Sequence, residues 1–113
     1  LLGHLCEVCE GSGLSAEIEF SKIPVFDFLE DYIKKGSMPG GTTRNWNSYG
    51  KKISALTEDQ KTILADPQTS GGLLLSVNEE DALLFEKFAQ ANGIVLKPFG
   101  RLVPKNIHVV SIS

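Results

Sequence analysis

With 113 residues, 42% of them apolar and 22% charged, the chain has the composition of one folded domain, large enough to bury roughly 65% of its unfolded surface. That composition excludes a disordered tail. The net charge of −3 gives no basic footprint for nucleic acid, and no apolar run approaches the roughly 20 residues of a membrane helix,.

The chain opens Leu-Leu-Gly-His-Leu, with no basic region and no initiator Met. It therefore reads as a segment of something longer rather than as a secretory leader. Leu1 to Glu10 reads as a helix, with Leu1, Leu5 and Val8 on one face and Gly11 or Gly13 as its stop,. Cys6 and Cys9 form a Cys-x-x-Cys pair, which can be a redox couple or half of a zinc site,. No second ligand pair accompanies it. The spacing also fits one buried helix face, and that reading is preferred. Two thiols without a disulfide framework suit a reducing cytoplasm.

Leu14, Ala16, Ile18 and Phe20 alternate with Ser15, Glu17, Glu19 and Ser21, the period of a strand with one buried face,. Pro24 then suits the first turn of a helix carrying Val25, Leu29, Tyr32 and Ile33, with Lys34 and Lys35 at its end and Gly36 as cap,. Ser37 to Tyr49 reads as a polar loop pinned to the core by Trp46 and Tyr49,. Within it Gly40, Gly41, Thr42, Thr43, Arg44 and Asn45 combine backbone donors, hydroxyls and a guanidinium, a set able to bind an anion. The alternative is a surface loop whose Arg44 pairs with a carboxylate. The Walker spacing is absent.

Thr57 with Gln60 is a capping box that starts a helix from about Glu58 to Leu64,. Pro67 ends it by Ala65 or Asp66. Gln68, Thr69, Ser70, Gly71 and Gly72 make a second polar loop, placed before Leu73 to Val77, which reads as a strand buried on both faces,. Such a loop on a strand suits a binding site, or simply turns the chain. Asp66 more readily closes a turn than holds a metal. Asn78 caps a helix with an acidic first turn and an apolar face of Leu84, Phe85, Phe88 and Ala89, closed by Gly93,. Ile94 to Leu96, Arg101 to Val103 and Ile107 to Ile112 read as strands, with Pro98 and Gly100 between the first two,. His108 is placed at an edge or in solvent. The expected fold is α+β, an α/β sandwich in which helices cover a mixed sheet.

Three stretches together resemble one family. Leu1 to Leu5 is similar to the tail of a Thr-Gly-Phe-Gly-Leu-Leu-Gly-His motif. Gly40-Gly41-Thr42-Thr43-Arg44-Asn45 with Ser48-Tyr49-Gly50, and Asp66-Pro67-Gln68-Thr69-Ser70-Gly71-Gly72-Leu73-Leu74, resemble two further signatures. Their order and spacing resemble the selenophosphate synthetases (selenide, water dikinases), within the aminoimidazole ribonucleotide synthetase-like superfamily. The resemblance implies that residues 1–113 are a C-terminal α/β domain lacking its first segment and the N-terminal domain. The latter would form the homodimer and hold ATP and magnesium.

The reaction implied converts ATP, selenide and water to selenophosphate, AMP and phosphate, in the cytoplasm. The family's reactive Cys or selenocysteine, its Lys and its metal-binding aspartates would lie outside this chain. Neither Cys6 nor Cys9 takes that role. No catalytic or metal residue is therefore assigned, and the isolated chain is expected to be inactive and to bind no cofactor. The substrate- or phosphate-proximal candidates are Gly40, Gly41, Thr42, Arg44, Asn45, Gln68, Thr69, Ser70, Gly71 and Gly72. The alternatives are a non-catalytic paralogue or interaction module, or a hydrogenase-maturation or thiamine-monophosphate kinase-like member.

Overall fold

The computed structural model describes all residues, 1–113. Its centre is strand β1 (Leu14–Ile18), which has a partner on each side. Strand β2 (Gly100–Pro104) pairs with it antiparallel, from Leu14 opposite Pro104 to Ile18 opposite Gly100. Strand β3 (Val110–Ile112) pairs with it parallel, from Ala16 opposite Val110 to Ile18 opposite Ile112. The sheet is thus mixed, in the order β2-β1-β3, and with its helices gives the expected α+β class. Beyond β3 the ladder continues briefly, where Val109 N–H donates to Lys52 O at 2.8 Å and Ser54 N–H to Val110 O at 3.0 Å.

Helix α1 (Leu2–Ser12) covers β1 and β3. Gly13, at φ 71°, ends it in the left-handed conformation that glycine adopts without a Cβ penalty, and its N–H reaches the Cys9 and Glu10 carbonyls,. The buried face is Leu2, Leu5, Cys6 and Cys9, one step round from the expected stripe, and Val8 is exposed. Both cysteines are free thiols packed with Ala16, Ile18, Ile53, Leu64 and Val110. Fully burying side chains such as Leu2 and Leu64 stabilises by about 1.5–3 kcal/mol each,. Burial pushes the Cys6 thiol up to about 11, against the opposing pull of Lys52. Lys52 also anchors α1 from outside, its Nζ 2.7 Å from Glu10 Oε1.

Ser15 falls on the side of β1 expected to face water, yet it is buried. Its hydroxyl donates to His108 O at 3.0 Å and accepts from Asn106 N–H at 2.9 Å, so the polar group is satisfied where it lies,. Glu17, directly opposite Arg101, takes both Nε (3.0 Å) and Nη2 (2.8 Å) of its guanidinium on one carboxylate oxygen,.

Several expectations are corrected. The helix expected from Pro24 is only α2 (Leu29–Lys34); Val25 and Tyr32 are exposed and no side chain caps its start. Phe20 leaves β1 for a 3-10 turn, Phe20–Lys22. The polar loop from Ser37 contains helix α3 (Gly41–Tyr49), because Thr42, Asn45, Trp46 and Tyr49 recur at helical spacing and turn inward together,. Helix α4 (Glu58–Leu64) has both capping-box bonds, Gln60 N–H to Thr57 Oγ1 at 3.2 Å and Thr57 N–H to Gln60 Oε1 at 3.0 Å.

The largest correction lies downstream. Leu73–Val77 is not a strand: it has no ladder partner, and Leu73 is 90% exposed. Ile94–Leu96 is likewise unpaired and exposed. Helix α5 (Ala82–Ala91) follows a 3-10 turn, Glu79–Asp81, at which Asn78 makes no side-chain cap bond. It buries Ala89 but leaves Leu84 and Phe88 exposed. The last strand begins at Val110 rather than Ile107, whose side chain stands in solvent. No helix is long and apolar enough to cross a membrane.

Candidate functional site

The two polar loops meet. Gly40 caps α3 and Gly41 begins it, and a Cβ on Gly41 would lie 2.8 Å from Pro67 Cγ. Only glycine lets Pro67 sit there. Four residues on, the Asn45 carboxamide donates through Nδ2 to Ala65 O at 2.9 Å, tying α3 to the end of α4. The polar end of α4 and the first turn of α3 are therefore fixed against each other by one contact and one hydrogen bond.

Beside this junction lies a cleft of about 1350 Å³. Asn45, Ser48 and Tyr49 line it from α3, and Asp66, Gln68, Thr69, Gly71 and Gly72 from the second loop. Of the ten candidates, the structure thus brings Asn45, Gln68, Thr69, Gly71 and Gly72 to one cavity. Gly40, Gly41, Thr42, Arg44 and Ser70 stand outside its lining. Gln68 folds its Oε1 back over Gly71. Thr42 is 3% exposed and its Oγ1 has no hydrogen-bond partner. Arg44 is exposed with neither ion pair nor hydrogen bond, so the alternative in which it pairs with a carboxylate is not realised.

The cleft also holds residues that the motifs did not single out. Leu1, His4 and Glu7 line it from α1, with His4 Nδ1 3.2 Å from Glu7 Oε2. Their i, i+3 spacing opposite the buried Leu2–Leu5 face was the available signal. Burial pushes the Tyr49 phenol above its ordinary value, with Cys6 nearby adding to it, so the hydroxyl stays protonated at neutral pH,.

The chemistry available is hydrogen bonding and closure. Helix α3 has no acidic residue in its first turn and no side-chain cap, and exposed Thr43 and Arg44 lie on that turn. A helix start of this kind suits an oxyanion presented from outside. No group of three or more His, Cys, Asp or Glu side chains that could hold a metal ion converges in the chain. Ser15 and His108 do not form a nucleophile–base pair, since Ser15 bonds the His108 backbone.

A mixed sheet backed by helices, with two glycine-bearing loops joined beside one cleft, defines the class as a small α+β domain. The chain belongs to the family described as AIR synthase related protein, C-terminal domain, whose model matches residues 1–113. It is 48% identical over 112 residues to the selenide, water dikinase of Colwellia psychrerythraea, covering 99% of this chain and 33% of that protein. It is 53% identical over 106 residues to the Haemophilus influenzae (strain 86-028NP) selenide, water dikinase (94% and 30%), and 45% over 112 residues to that of a Sulfurovum species (99% and 33%). The chain spans about a third of the length of the curated relatives it matches.

Proposed function

We propose that the chain is the C-terminal domain of a selenophosphate synthetase, the enzyme that converts ATP, selenide and water to selenophosphate, AMP and phosphate. The observation that carries this reading is 45–53% identity to proteins named selenide, water dikinase across nearly the whole chain. The order of the two loop motifs supports it, as does their meeting at one cleft. ATP, magnesium and the reactive residue belong to the remaining two thirds of the polypeptide, whose N-terminal domain dimerises and is this domain's first partner. A cytoplasmic setting suits two buried free thiols,.

In this reading the domain closes over the site. Arg44 and the glycines Gly40 and Gly41 face phosphate oxygens from the α3 side, while Thr42 is buried. Gln68, Thr69, Gly71 and Gly72 border the cleft, with Ser70 between them outside its lining, and Asn45 holds the two loops in register. Splitting two phosphoanhydride bonds needs metal ions bridging phosphate oxygens. The domain alone is expected to be inactive, because the reactive residue and the metal-binding aspartates would lie in the rest of the polypeptide. Phosphorus NMR of the intact protein with ATP and selenide is expected to give selenophosphate, AMP and phosphate, and residues 1–113 alone to give none. Absence of selenide-dependent AMP from the intact protein would overturn the reading.

A further inference from the structure

Helix α1 lends the cleft Gly3, His4 and Glu7. At Gly3 this helix meets α3 closely, since a Cβ there would lie 3.1 Å from Tyr49 Cε1. One turn before Tyr49, Asn45 is bonded to Ala65 O, and Asp66 follows directly. Two contacts thus join the start of α1, through α3, to the loop that carries Thr69. The His4 side chain is 84% exposed and that of Glu7 77%, so both are open to whatever enters the cleft. An ion pair at such exposure adds little to stability.

The titratable side chains lining the cleft are His4 and Glu7 from α1, Tyr49 from α3 and Asp66 from the second loop. Neither Lys nor Arg lines it, and His108, the other imidazole, lies elsewhere. Burial keeps the Tyr49 phenol protonated at neutral pH, so it gives a hydrogen bond but takes no proton,. Only an imidazole ordinarily changes charge between pH 5 and 8. His4 Nδ1 lies 3.2 Å from Glu7 Oε2. An ionised carboxylate accepts and cannot donate, so Nδ1 carries the hydrogen and Nε2 of the neutral ring keeps its lone pair. A carboxylate on one ring nitrogen, with the other nitrogen free, is how a general base is oriented.

We propose that His4 is the general base for the water-consuming step in the intact protein, with Glu7 as its positioning residue. This rests on the reading that the chain belongs to an enzyme converting ATP, selenide and water to selenophosphate, AMP and phosphate, in which one phosphoryl group passes to water. The water oxygen bonds to phosphorus as the anhydride phosphorus–oxygen bond breaks, and the electron pair of that bond leaves with the departing oxygen. One proton of the water passes to His4 Nε2, which then returns it to solvent. To hydrogen bonding and closure the cleft thereby adds one proton-transfer group, supplied by α1 rather than by either loop.

The test is the pH profile of selenide-dependent AMP formation by the intact protein, for the parent, His4→Gln, His4→Ala and Glu7→Gln. The position is exposed, so the His4 variants are expected to keep the parent's urea midpoint. The parent's kcat is expected to fall on the acid side along a one-proton limb. His4→Gln should lower kcat about 100-fold at neutral pH, leave KM for ATP unchanged and abolish the limb. Added imidazole should restore part of the activity of His4→Ala. Glu7→Gln, whose amide can present a hydrogen to Nδ1 and favour the wrong tautomer, should lower kcat with KM unchanged. An unchanged kcat in His4→Gln would overturn the proposal. So would a loss carried by KM, a loss that keeps the acid limb and resists imidazole, or loss of the folded transition in both His4 variants, which would make the residue structural. A parent that forms no selenide-dependent AMP would overturn the enzymatic reading and this proposal together.

Discussion

Leu14–Ile18 and Leu73–Val77 are both five-residue stretches that follow a glycine, and the second is the more apolar. Yet the first is the centre of the sheet and the second, apart from half-buried Leu74, stands in solvent. The difference is in partners. β1 is flanked by β2 and β3, is covered by α1, and satisfies even Ser15 through Asn106 and His108. Leu73–Val77 has no ladder, and α5 and Ile94–Leu96 beyond it leave most of their apolar groups exposed. Apolarity says that a segment gains by burial, whereas burial itself requires a facing surface. Residues 66–99 carry the second signature loop and the unpartnered surface together, so the least self-sufficient region borders the cleft.

The contrast is broken or sharpened most strongly by truncating one leucine from each region. In the 113-residue chain, Leu2→Ala is expected to cost about 2–5 kcal/mol, and Leu73→Ala to stay within about 0.5 kcal/mol. Urea midpoints measure both; equal losses would abolish the distinction. Next is Ser15→Ala, which leaves the Asn106 N–H and His108 carbonyl without their partner inside the core. The expected loss is about 1–3 kcal/mol in the same assay.

A pH-dependent loss should follow from Cys6. Its folded thiol lies at about 11 against an ordinary 9.0, because burial disfavours the thiolate. The folded state therefore keeps a proton that the unfolded chain releases. This contribution is intact below pH 9 and falls as pH rises from 9 through 11. Stability curves for the parent chain and Cys6→Ala should converge in slope below pH 9 and separate above it, and at pH 8 iodoacetamide should leave native Cys6 unmodified. A modest effect is expected at Thr57→Ala, where loss of the α4 cap costs about 1 kcal/mol and thermal denaturation should show a correspondingly small shift.

Much of the body is legible in the sequence because its signals are local. The capping box at Thr57 and Gln60 names its own bonds, and the three glycines at positive φ, Gly13, Gly36 and Gly93, were all readable as helix ends. Period-two alternation marks β1. Helix α3 was hidden because paired glycines at its start read as a loop, although Thr42, Asn45, Trp46 and Tyr49 carry helical spacing. Leu73–Val77 was misread because a continuous apolar run specifies burial but not the strand beside it. At the site, motif resemblance supplied the ten candidates. The contact of Gly41 with Pro67 and the bond from Asn45 to Ala65 are tertiary, joining residues 26 and 20 positions apart.

We propose that the loops of Arg44 and Thr69 act together at one reacting site in the intact protein. Steady-state kinetics of selenide-dependent AMP formation, with Arg44→Ala and Thr69→Ala introduced separately, test it most directly. Each substitution is expected to lower kcat/KM at least about tenfold, near 1.4 kcal/mol of transition-state stabilisation. Unchanged kcat and KM in both variants would contradict it.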